Sequence, residues 1–404
     1  MSELKRTITW KILAIYGLGN ILGAGIYVLI GEVAKESGSA MLWSFIAAGI
    51  VASFTALTYG ALASAYPVSA GAAIYTERAF NSKKWSTAVG LTMALTAIVS
   101  ASTLLNGFNS YFQVLMETLG IQFNVPPSLV ILSILAILSF VALKGIGDST
   151  RLAVLLTFTE AGGLLLIIGF AFFYGDPINA VAVSMNGIGE VSPLAITLGA
   201  FIAFYAFIGF EDMVNVVEEV QQPERQMKKG ILTALAIAVV LYGLTIIAAL
   251  AVLTSSELAQ SEAPLATVWQ TATDSEFPLI TIIGLIAITN GALIGIITSS
   301  RIIFGLAREG WITNKLAKIS SKSGVPSRAT YLVIGLIAVT AIALPLGTLA
   351  RITSFILLVV FTIVQAAALR LKAQNKLPNL NYCIPIIGLV ANMSVIAIQI
   401  FSWN

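Results

Sequence analysis

Two acidic residues stand where a carboxylate has no ordinary place. Glu160 falls in the middle of the apolar stretch RLAVLLTFTEAGGLLLIIGF, and Glu211 lies in AFIAFYAFIGFEDMVNVV with Asp212 beside it. A carboxylate at the centre of a bilayer costs a few kcal/mol even on the mildest insertion scale. Such a group has to carry a proton, pair with a cation, or face water inside the protein. No Lys, Arg or His lies deep in the apolar stretches; Arg151 and Arg301 sit near their ends. That scarcity points to protonation as the neutralising event, with Glu160 and Glu211 as proton-coupling candidates. A structural hydrogen bond between helices is the plain alternative for each acid, and for Asp212 it is the better reading.

Glycine supplies a second kind of chemistry. The run GLGNILGAGIYVLIG holds Gly17, Gly19, Gly23 and Gly25, and the later run AFIGFED holds Gly209. Glycine inside a helix costs about 1 kcal/mol relative to alanine. Close helix packing through the Gly19–Gly23 spacing would explain the first run alone. Placement argues for more, because the two runs fall in the first and sixth apolar segments, five apart. An odd repeat of five helices inserts in opposite senses. Gly-interrupted segments at matching positions of two halves point to a transporter binding site, with the breaks at Gly23, Gly25 and Gly209. A broken helix offers N–H groups to a carboxylate and free carbonyls to an ammonium group, so two of them side by side suit a zwitterion. Irregular backbone at that depth is tolerated only where it lines a cavity.

The elements that must position these groups follow from composition. Of 404 residues, 58% are apolar and 10% are charged, against about 25% charged in a soluble domain. Mean hydropathy is +0.94. A bilayer core needs roughly 20 apolar residues per helix. Stretches of that kind lie near 10–31, 40–64, 86–116, 126–144, 151–174, 193–217, 230–254, 278–307, 328–346, 350–370 and 381–402. They are continuous rather than alternating, which excludes a β-barrel. The expected fold is an all-α polytopic membrane protein of eleven spans forming one domain over 1–404. The first segment is longer than a signal-peptide core and is read as a retained helix.

Charge placement tests this count. With the N-terminus cytoplasmic, 20 of the 22 Lys and Arg residues fall on the cytoplasmic side, leaving only Lys35 and Arg351 outside. The positive-inside rule predicts such a bias, and one missed helix would scramble it. Eleven spans put the C-terminus outside. Short loops suit a prokaryotic cell membrane, and basic residues spread along one membrane face suit lipid rather than nucleic acid.

These residues resemble the amino acid–polyamine–organocation superfamily of transporters. The resemblance rests on GNILGAGIYVLIG, YPVSAGAAIYTERAF, FYAFIGFEDMVNVVEEVQQPER, SSRIIFGLAREGWI and VPSRAT, in order along the whole chain. It implies a leucine-transporter-like fold of two inverted five-helix repeats, 10–174 and 193–370, with helices one and six broken, and an additional helix at 381–402. It also implies transport by alternating access. Carried over by position, Ala24, Gly25 and Ile26 would offer N–H groups to the substrate carboxylate. The carbonyls of Ile21, Tyr205, Ala206 and Ile208 would receive the amine, and Tyr205 and Phe207 would gate or shape the side-chain pocket. Glu211 falls at the acidic position of span six that family members use near the substrate. Many members have twelve spans where this chain has eleven. Proton-coupled relatives resembling the animal cationic amino acid transporters carry a Lys in span five where an ungapped alignment puts Glu160, so a Lys-based coupling does not transfer.

The expectation is a secondary transporter of amino acids, proton-coupled, with neutral substrates favoured because no basic residue is buried to meet an acidic one. Alternatives are a cationic amino acid or polyamine transporter or exchanger, and a sodium symporter using hydroxyls such as Ser299 and Ser300, unless these bond back to their own helix. An ion channel would predict a repeated filter or charged rings. An intramembrane enzyme is disfavoured by zero His and the single Cys383. The sequence calls for no cofactor and no metal, and oligomeric state is not readable from it.

Overall fold

The apolar runs and their caps fold into helices in the order the hydropathy dictates. The computed structural model describes residues 6–23, 25–68, 71–121, 125–144, 150–320 and 324–402. Sixteen α-helices follow one another: α1 Trp10–Leu22, α2 Gly25–Ser37, α3 Met41–Ala65, α4 Gly71–Phe80, α5 Lys83–Thr118, α6 Pro127–Lys144, α7 Thr150–Tyr174 and α8 Pro177–Glu190. The second half holds α9 Pro193–Ala203, α10 Pro223–Val252, α11 Ser255–Gln260, α12 Pro264–Thr273, α13 Leu279–Arg308, α14 Ser327–Ala343, α15 Leu346–Ala373 and α16 Cys383–Ser402. Among the described residues there is no strand, only a single parallel bridge between Ile8 and Val220.

Starts are set by side chains that satisfy the first N–H groups. Thr9 caps α1, Ser192 followed by Pro193 opens α9, and Asp176 followed by Pro177 opens α8. Proline is welcome there because it lacks an N–H that the first turn would leave unpaired. The same signals explain a departure from expectation. The links read as plain loops hold four short helices, α4, α8, α11 and α12, and α12 buries Leu265, Ala266, Val268 and Trp269.

Nine stretches among the described residues are long and apolar enough to cross a membrane. The sequence predicts eleven. The difference has two sources: the first segment is divided, with α1 short and α2 running into α3, and α14 at 17 residues is two residues shorter than the expected 328–346. The outer faces of α6, α7, α14 and α16 expose Ile137, Phe140, Leu155, Phe158, Phe173, Val339 and Phe401, a belt that only lipid would solvate. Inside, Tyr27, Tyr59, Tyr75, Tyr111 and Tyr242 are fully buried.

Helix ends gather by charge. Arg370 at the end of α15 stands over the Phe80 ring of α4, and Lys229 at the start of α10 lies 3.8 Å from the Trp10 ring centre. At the other end Lys35 pairs with Glu32, and Arg351 of α15 pairs with Glu36 of α2. Cys383 opens α16 and is exposed.

Candidate substrate and coupling site

Backbone irregularity appears twice, and both irregular points meet. Helix α1 ends at Leu22 and α2 begins at Gly25; Ala24, assigned a carboxylate-binding N–H, lies outside the described residues. The segment expected as a helix over 193–217 departs from α geometry after Ala203. A 3₁₀ turn covers Phe204–Phe207, Ile208 is extended at ψ 145°, Gly209 has φ +122°, and Phe210–Glu219 continues as 3₁₀. Runs of 3₁₀ beyond a few residues are uncommon and mark strain or function.

The two points are in backbone contact. A Cβ on Gly25 would lie 2.9 Å from the Cα of Ala206, and one on Gly209 would lie 2.6 Å from the backbone of Asn20. Glycine is required at Gly209 by φ as well as by space. Gly19 instead faces the Thr157 side chain of α7, so the glycines of the first run divide between packing and the break.

Beside this crossing lies a cavity of about 110 Å³, counted as space open to the centre of a water-sized sphere. One water needs about 10–15 Å³ by that measure, so the space holds several waters or a small zwitterion. Gly19, Asn20, Ile21, Gly23 and Gly25 line one wall, and Tyr205, Ile208, Gly209, Glu211 and Asp212 another. Helix α5 contributes Met93, Thr96, Ala97, Ser100 and Leu104, and α13 contributes residues from Asn290 to Ile302. The lining thus runs from Leu104 toward Met93, and from Asn290 toward Ile302, roughly 16–18 Å along each helix at 1.5 Å per residue. Both directions lead to the basic end.

Of the residues expected at the site, Ile21, Gly23, Gly25, Tyr205, Ile208, Gly209 and Glu211 line the cavity. Ile26, Ala206 and Phe207 do not; they are buried behind its wall. The Phe207 ring packs between Phe45 and Tyr242, so it supports the wall rather than touching the cavity. Glu160 also stands outside the lining and is fully buried.

Three of the four carbonyls expected to receive an amine already accept protein donors. The Tyr242 hydroxyl, from α10, lies 2.7 Å from the Ile21 carbonyl oxygen and 2.9 Å from that of Ala206. The Tyr205 carbonyl accepts from Ile208 N–H at 3.1 Å. A carbonyl has a second lone pair, so an ammonium group can join these bonds. Sequence reasoning missed Tyr242; a buried tyrosine in an apolar run gives no sign of which backbone it caps.

Each acid has a distinct setting. Glu211 accepts from Gly209 N–H at 2.8 Å through Oε2, which ties its carboxyl to the irregular turn. Glu160 receives the Asn290 side-chain amide on Oε1 at 3.4 Å, while Oε2 is buried without a partner. Its backbone carbonyl accepts from the Tyr27 hydroxyl at 2.8 Å, and the Tyr27 carbonyl accepts from Tyr111 at 2.9 Å. No ion pair to Glu160 exists among the described residues. Tyr205 donates to the Ser100 carbonyl at 3.1 Å, and the two hydroxyls are 2.8 Å apart, which pins the ring to α5. Ser299 and Ser300 donate to carbonyls of their own helix, at 2.6 and 2.8 Å, and neither lines the cavity.

A bundle of lipid-facing helices around an internal cavity with exposed backbone and acidic side chains in its lining is the architecture of a membrane transport protein. Residues 8–404 match the family model described as amino acid permease; the chain belongs to that family, within the amino acid–polyamine–organocation superfamily its motifs resemble. It is 27% identical to the methylthioribose transporter of Bacillus subtilis (strain 168), over 97% of this chain and 87% of that protein. It is also 27% identical to the branched-chain amino acid permease of the same organism, over 99% of this chain and 89% of the relative. The chloroplastic cationic amino acid transporter 9 of Arabidopsis thaliana is 28% identical over 76% of this chain and 56% of its own length.

Proposed function

We propose that the protein is a proton-coupled secondary carrier of neutral amino acids that works by alternating access. Two inverted five-helix repeats, 10–174 and 193–370, form the carrier with helices one and six broken, and 381–402 is appended as the eleventh span. The basic end is cytoplasmic and the C-terminus lies outside, in a cell membrane. The observation that carries this reading is the cavity at the crossing of two irregular backbones, walled by Ile21, Gly23 and Gly25 on one side and Tyr205, Ile208 and Gly209 on the other. The backbone N–H of Gly25 meets the substrate carboxylate, and the carbonyl groups of Ile21, Tyr205 and Ile208, which line the cavity, meet the amine.

The substrate side chain lies between α5 and α13, against Met93, Ala97, Leu104, Gly291 and Ile294. No Lys or Arg is among the cavity residues, which disfavours acidic substrates. The similarity to a branched-chain amino acid permease is consistent with an aliphatic side chain. Glu160 and Glu211 are the coupling groups. With no histidine in the chain, the carboxyl groups in and beside the cavity are the side chains placed to carry a coupling proton.

Glu211 and Asp212 in the cavity lining favour a second reading, a cationic amino acid or polyamine carrier. Uptake into proteoliposomes separates the two. L-Leucine uptake driven by an inward proton gradient, unaffected by sodium and lowered at least tenfold by Glu160→Gln, is the expected result. Selective uptake of L-lysine replaces the substrate assignment, and dependence on sodium replaces the proton. Glu160→Gln protein that keeps full gradient-driven uptake sinks the role of Glu160.

A further inference from the structure

Glu160 and the cavity do not touch, yet one side chain reaches both. Asn290 of α13 lines the cavity, and its Nδ2 donates to Glu160 Oε1. The other Glu160 oxygen is buried without a partner. The groups that could compete for this carboxyl are few. Helix α7 packs against α1, α10, α12 and α13. The charged residues of α1 and α10 are Lys11 and then Glu224, Arg225, Lys228 and Lys229, all in the first turns at the basic end; α12 has none. On α13, Arg301 is eleven residues from Asn290, about 16 Å along the helix. Glu32, Lys35 and Glu36 lie in the last turns of α2, beyond the Tyr27 that bonds the Glu160 carbonyl. The phenols of Tyr27, bonded to the Glu160 carbonyl, and of Tyr242 are the titratable neighbours. Asn290 is therefore a direct polar link between the buried acid and the cavity.

An amide in that position has two faces of opposite sense. When Glu160 is ionised, Nδ2–H donates to it and Oδ1 is the atom left for the cavity. When Glu160 carries a proton, its O–H donates to Oδ1, and the amide turned by half a rotation offers Nδ2–H to the cavity instead. We propose that Asn290 is the positioning residue that couples protonation of Glu160 to substrate binding, by presenting a donor to the substrate carboxylate only when Glu160 is protonated. Gly25 lines the same cavity, so the amide and the Gly25 N–H face the same bound ligand. The inference rests on the reading of Glu160 as the proton site. By linkage, a proton that strengthens substrate binding is itself bound more tightly when substrate is present, by the same factor.

The test uses the full chain in proteoliposomes, with L-leucine, L-alanine and L-lysine as probes. It compares exchange at equal pH with uptake driven by an inward proton gradient. In Asn290→Leu, exchange weakens but continues, and the ratio of gradient-driven uptake to exchange falls at least fivefold, as it does in Glu160→Gln. The double variant is no worse than either single one, and Asn290→Gln restores part of the response. Should Asn290→Leu fail to fold, Asn290→Ser removes the same reach at smaller size. If the Asn290 variants keep the wild-type gradient response while Glu160→Gln loses it, the inference is overturned and the role of Glu160 stands. If Glu160→Gln keeps the wild-type gradient response, or the wild type shows none, the proton-site reading fails and takes the inference with it.

Discussion

Gly209 and Asn20, 189 residues apart in the chain, meet backbone to backbone: a Cβ on Gly209 would fall 2.6 Å from the carbonyl carbon of Asn20. Two otherwise separate irregular points thereby become one joint. Gly209→Ala meets both the contact and φ +122°, a conformation that costs a side-chain-bearing residue about 1–3 kcal/mol. Transport should fall at least tenfold while the protein still inserts, which uptake measured against a folded fraction from size-exclusion chromatography checks. Wild-type uptake by Gly209→Ala would show that the joint has slack.

Tyr242→Phe removes the hydroxyl that caps the Ile21 and Ala206 carbonyls. A buried acceptor left unpaired costs about 1–3 kcal/mol. The empty protein should melt several degrees lower. The added stabilisation by a transported amino acid should grow, because its ammonium group then meets the cavity-lining Ile21 carbonyl without the tyrosine hydroxyl as a competing donor. Thermal melts with and without substrate read both effects, and an unchanged ligand shift counts against the amine site.

At the end opposite the basic residues, Arg351 of α15 pairs with Glu36 of α2, each about a quarter exposed, and the Glu32 carboxylate packs on Gly347 in the first turn of α15. Pairs of this kind contribute roughly 0.2–1 kcal/mol. Arg351→Gln should raise access to the cavity from that end by up to about fivefold. Labelling of Leu104→Cys in a Cys383→Ser background by a membrane-impermeant thiol reagent measures this, and the swap Glu36→Arg with Arg351→Glu should reverse it.

One carboxylate outside the spans has a clear pH signature. The Thr254 N–H and hydroxyl, both bonded to Glu257, hold its carboxyl below the usual range. Because the folded value is depressed, its stabilisation of α11 is complete above the unfolded value of about 4.3. It is lost as pH falls through the lower folded value. Amide protection in α11, relative to the intrinsic exchange rate at each pH, should therefore hold at pH 5 and weaken only in stronger acid. In Glu257→Gln that transition should disappear.

Hydropathy made most of the helices legible, and glycine marked both irregular points, because lipid and close backbone contact restrict residue type directly. The short helices α8 and α12 were hidden because their signals, a leading proline in both and the Asp176 cap in α8, also open turns. Of the site, Gly25 and Gly209 could be read from sequence, whereas Tyr242 and Asn290 could not. Their roles depend on which backbone or carboxyl lies opposite, and that is a property of packing between distant segments. Phe207 misled for the same reason: its place in the chain is beside the cavity wall, but its ring turns into the core toward Phe45 and Tyr242.

Cys383, exposed at the start of α16, is the chain's one thiol. Replacing it leaves a protein blank to maleimide and nitroxide labels after a single change at a position away from the cavity. Pairs of reporters placed on α2 and α15, or on α5 and α10, would then give distances free of background. The motions of the carrier can be followed in a nearly native chain, without the wholesale cysteine removal that distorts many membrane proteins.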